Sequence, residues 1–108
     1  MGEMKTLHEL VADKLERADE KARRELLQIP LDNIARWLAH GHTAPHRLKQ
    51  WRQILICAET SSHGFSELLK LLRDKDEAAQ RLRDFAPFAG VLDWEQRQQA
   101  IPECAYNF

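Results

Sequence analysis

LDNIARWLAHGHTAPHRLKQWRQILI, residues 31 to 56, pairs two amphipathic helical patterns across a short connection. Ile34, Trp37 and Leu38 recur at the spacing of one helix face, and Leu48, Trp51, Ile54, Leu55 and Ala58 do the same on the second. Gly41 supplies the left-handed residue that commonly ends a helix. Thr43 suits an N-cap, and Pro45 falls in the first turn, where a missing N–H costs nothing. Helix, glycine-containing turn and basic second helix is the outline of a helix-turn-helix, and equally of any αα-hairpin in a small bundle.

Working outward, the N-terminal side carries apolar residues at Met4, Leu7, Val11, Leu15, Ala18, Ala22, Leu26 and Ile29. This eleven-residue recurrence matches a straight helix rather than the heptad of a left-handed coiled coil. It predicts one long helix ended by Pro30, with charges of alternating sign on its other face. The stripe is thin at Ala18 and Ala22, where another helix can approach closely. On the C-terminal side, Ser61, Ser62 and Gly64 read as a loop, with a serine capping a helix that buries Phe65, Leu68, Leu69 and Leu72. Asp76 can cap a further helix carrying Ala79, Leu82 and Phe85, stopped by Pro87. Asp93 can cap a last short helix with Trp94 turned inward. Sustained strand alternation is absent.

These patterns predict an all-α fold, a compact bundle of five to six helices with a long N-terminal helix and a central helix-turn-helix-like hairpin. The 108 residues suit a single domain spanning 1–108, with flexible ends at 1–3 and 103–108. Cys57 and Cys104 lack framework spacing and read as reduced thiols of a cytoplasmic protein. An apolar run long enough to cross a membrane is missing, and so is the apolar block of a signal peptide. Trp37 and Trp51, one on each helix of the hairpin, read as facing core anchors.

Charge narrows the function. The formal net charge is -1, yet Arg36, Arg47, Lys49 and Arg52 face only Asp32 within residues 31–56, a local surplus of three. Any contact with a polyanion must therefore come from this patch. If the second helix of the hairpin read nucleic acid, its outward stripe would be His46, Lys49, Gln50 and Gln53, with Arg47 and Arg52 beside it for phosphates. Trp37 and His42 depart from the usual helix-turn-helix pattern, which favours a small residue before the turn and an apolar one after it. Acids from other helices would weaken this reading if they neutralised the stripe.

His40, His42 and His46 gather around the turn and are weak candidates for a metal site, because their spacing matches no ligand signature. Protonation near pH 6 would add to the basic surplus. Cys57, Glu59 and His63 lie close in sequence, but residues two apart on a helix do not face each other, and phosphate-loop or nucleophile motifs are missing. The reading is of a non-enzymatic regulatory or accessory protein, without cofactor, that acts by binding a protein partner. Nucleic-acid binding is the alternative. Two features bear on a protein partner: the uncharged run FAPFAGVL, with Pro87, Phe88 and Val91, which either folds back as a lid on the core or leaves an apolar patch exposed for a partner, and the aromatic tail with Tyr106 and Phe108. The apolar stripe of the first helix also suggests a homodimer.

Overall fold

The computed structural model describes residues 5–41, 45–84 and 86–101. Among them are six helices: α1 (Leu7–Arg17), α2 (Glu20–Ala39), α3 (Pro45–Thr60), α4 (Ser62–Arg73), α5 (Glu77–Arg83) and α6 (Trp94–Gln98). Two two-residue strands, β1 (Lys5–Thr6) and β2 (Ala100–Ile101), pair in parallel, with Lys5 beside Ala100 and Thr6 beside Ile101. The all-α class holds. Strands this short carry no alternation for a sequence reading to detect.

Side chains start the helices by accepting hydrogen bonds from backbone N–H groups that have no partner within the helix. Ser61 accepts from Gly64 at 2.9 Å, Asp76 from Ala79 at 2.9 Å and Asp93 from Gln96 at 2.8 Å, the three caps expected from sequence. Thr6 and Glu9 form a reciprocal capping box at the start of α1. Thr43, the expected cap of α3, lies outside the described residues, while Pro45 opens the helix as expected.

The predicted long N-terminal helix is two helices. Ala18 has extended backbone angles (φ -72°, ψ 145°), and Asp19 caps α2 by accepting from Ala22 at 2.8 Å. Arg23 reaches back to the carbonyls of Leu15 and Ala18, which the break leaves without helical partners. Because apolar positions continue on both sides of the break, periodicity alone does not reveal it. Pro30, expected as a stop, sits buried inside α2. An interior proline costs roughly 3 kcal/mol in an isolated helix. Here Leu27, Asn33 and Ile34 are buried on either side of it, so core packing carries the helix through. The first helix of the expected hairpin is thus the second half of α2, and Gly41 beyond it adopts φ +73°.

One apolar cluster joins α1 through α4 with the segment 86–92. Trp51 is fully buried, donates its indole N–H to the Leu82 carbonyl at 2.9 Å and meets Phe88 edge-on at 5.3 Å. Trp37 is half-buried against the same cluster. Gly64, expected in a loop, is buried inside α4, where an added Cβ would lie 2.2 Å from the Cys57 carbonyl oxygen of α3. A side chain there would force α3 and α4 apart. Trp94, expected to turn inward, is 66% exposed, since the five-residue α6 buries none of its side chains.

Candidate functional site

The segment 86–92 folds back over the core. Pro87, Phe88, Val91 and Leu92 are all buried, so the apolar run is a lid rather than an exposed docking patch. Its backbone is held from two sides. The Asn33 amide nitrogen donates to the carbonyls of Pro87 at 2.9 Å and Ala89 at 2.8 Å, and the Lys14 ammonium donates to the Val91 carbonyl at 2.8 Å. The only sign of Asn33 in the sequence is its place between Pro30 and Trp37 on the inward face of α2, an unusual one for a polar residue. Tyr106, Phe108 and Phe85 lie outside the described residues.

On α3 the core takes Leu48, Trp51, Leu55 and Ala58, leaving the opposite face open. His46, Lys49, Gln50 and Gln53 straddle the outward direction and are all exposed, with Arg52 along one edge. Sixteen residues make a helix about 24 Å long. Arg47 is half-buried at the other edge of this face. Arg36 stands apart from the group, because its guanidinium donates to the Asn33 side-chain oxygen and supports the lid anchor.

The distribution of ion pairs decides the charge of this face. Asp13 binds Lys5 and Arg73, Glu16 binds Arg73 and Glu9 binds Lys75, gathering the acids of α1 against cations of β1 and of the α4–α5 region. Burial alone would raise the Asp13 carboxyl, but hydrogen bonds from Lys5 and Arg73 outweigh it and hold the group below its ordinary value. Glu9 is lowered as well, with Thr6 and Lys75 overcoming the effect of burial. The remaining ion pairs on the described residues, Glu20–Arg24 and Glu77–Arg81, stay within single helices. Arg47, Lys49 and Arg52 therefore take part in no ion pair among the described residues.

The histidines do not converge. His40 caps α2 and its Nδ1 lies 2.7 Å from the Arg36 carbonyl, His46 is exposed in the first turn of α3, and His42 lies outside the described residues. Among the described residues, no group of three His, Cys, Asp or Glu side chains is placed to hold a metal ion. Cys57 is exposed and its sulfur accepts from the Gln53 amide nitrogen at 3.6 Å, but no side-chain hydrogen bond among the described residues links Cys57, Glu59 and His63 to one another. No described helix is long and apolar enough to cross a membrane.

A second surface feature lies at the break between α1 and α2. Ala18, Ala22, Leu26 and Ile29 floor an open, mainly apolar groove rimmed by Lys14, Arg17 and Glu25. The thin part of the apolar stripe is its only trace in the sequence. Compared with known protein families, curated proteins and solved structures, the chain matches none.

Proposed function

We propose that the protein is a binding module with no catalytic chemistry of its own, and that it holds nucleic acid on the outward face of α3. The observation that carries this reading is the exposure of Lys49 and Arg52 with no ion-pair partner among the described residues, while the acids of α1 are engaged elsewhere. Arg52 and Arg47 serve phosphates. Lys49 can donate to guanine, and Gln50 and Gln53 can each bond adenine in two places. With so few cations the interface is modest, and its affinity depends on salt in proportion to the phosphates neutralised.

Fluorescence anisotropy of labelled non-specific duplex DNA and RNA, titrated at about 50 and then about 200 mM salt, tests this. Binding should fall steeply with salt and be lost in the double variant Lys49→Ala, Arg52→Ala. Absence of binding to either duplex at low salt overturns the proposal.

A protein partner is the second reading. The uncharged run closes the core over residues 86–92 instead of offering a patch, but Ile56, 40% exposed on the same face of α3, offers an apolar anchor beside Arg52 and Gln53. A regulatory or accessory role suits either partner.

A further inference from the structure

We infer that the groove at the α1–α2 break is a self-association surface, and that its occupant is the same groove of a second copy of this chain. The floor is apolar and its small central residues, Ala18 and Ala22, allow close approach, while Leu26 and Ile29 supply the larger side chains. Lys14 keeps its charge, but its ammonium is committed to segment 86–92 and α6, donating to the Val91 carbonyl and to Gln96 Oε1 at 2.9 Å. The rim charges with no such commitment are one cation and one anion, Arg17 and Glu25, both exposed and neither in an ion pair among the described residues.

A two-fold interface places the same patch against itself, so each group meets the complement of its own position. With the axis beside Ala22, Arg17 of one copy faces Glu25 of the other, and the reciprocal pair forms across the axis. Opposite charges on a shared apolar floor thus make the patch complementary to itself. A foreign partner would have to reproduce both the floor and the charge pair. The contact is small, so the dimer is weak and concentration-dependent. This inference stands independently of the α3 proposal.

Sedimentation equilibrium of the full chain in reducing buffer, from micromolar to about millimolar concentration, tests it together with two charge reversals. The parent should be a monomer–dimer equilibrium. Arg17→Glu and Glu25→Arg should each raise the dissociation constant about tenfold or more, since two attractive pairs become repulsive in each homodimer. An equimolar mixture of the two variants should recover dimer, because the heterodimer again sets opposite charges across both contacts. Far-UV circular dichroism checks that each variant keeps the parent's helix content. A parent that stays monomeric throughout, a dimer indifferent to either reversal, or a mixture that fails to recover dimer each overturns the inference.

Discussion

Adding one methyl group at Gly64 meets backbone rather than a yielding side chain, because the nearest atom is the Cys57 carbonyl oxygen on α3. Alanine favours helix over glycine by roughly 1 kcal/mol, so a solvent-facing Gly→Ala change would stabilise α4. Here overpacking outweighs propensity, and Gly64→Ala should lower stability by about 2 kcal/mol or more in urea unfolding. A stabilised variant would refute the close approach of the two helices. Following two serines, Gly64 reads as part of a loop. The contact that requires glycine comes from a neighbouring helix, and one-dimensional spacing does not display it. Trp51 is the opposite case. Its place on an apolar stripe with Leu48, Leu55 and Ala58 predicts burial, and it is buried, although its indole partner, the Leu82 carbonyl, is invisible to periodicity. Asn33 lies between these extremes, a polar residue on an inward stripe whose two carbonyl partners lie in a segment more than fifty residues away.

Among the elements, α4, α5 and α6 start at caps that the sequence offers, although α6 ends at Gln98, short of the breaker Pro102, whereas the N-terminal helix is split where no breaker stands. Asp19 is a good N-cap, but the surrounding charges also suit a helix interior, and the apolar recurrence runs across the break without a phase change. Pro30 misleads in the opposite sense, since burial of its neighbours overrides a local cost. The break leaves α1 an eleven-residue helix, too short to be stable alone. Its charged side is tied to the rest of the fold by Asp13, which accepts from Lys5 and from Arg73, the latter at 2.8 Å. Since folding lowers the Asp13 pKa, the stabilisation is complete above the unfolded carboxyl value, near pH 4, and is lost as pH falls through the lower folded value. Asp13→Asn should therefore cost about 1 kcal/mol at neutral pH, and the difference should shrink as pH falls below the unfolded carboxyl value. Thermal unfolding followed by circular dichroism from pH 7 to pH 2 checks this, and parallel pH curves for parent and variant would contradict it.

For the molecule as a whole, segment 86–92 closes the core. Phe88 packs edge-on between His8 of α1 at 6.1 Å and Trp51 of α3 at 5.3 Å, so one side chain of the lid joins helices distant in sequence. Phe88→Ala should cost roughly 3 to 5 kcal/mol in denaturant unfolding, where an exposed docking residue would cost almost nothing. An uncharged run in a chain this small can be lid or docking patch, and only the position of Asn33 and Trp51 beneath it decides. The α3 stripe was legible because outward residues follow directly from the inward ones. Whether its cations were free was not, since that depends on which acids α1, α4 and α5 bring together. The groove left only the small size of Ala18 and Ala22 as a trace. The parallel pairing of β1 with β2 has a topological consequence as well. Position 5 lies beside position 100, so the backbone between them is very nearly a closed ring whose gap is about the width of one strand pairing. In such a ring the order in which the helices are read matters less than their neighbours. Insertion of the whole unit into a loop of a host protein would need the host to part its chain by only a few ångströms.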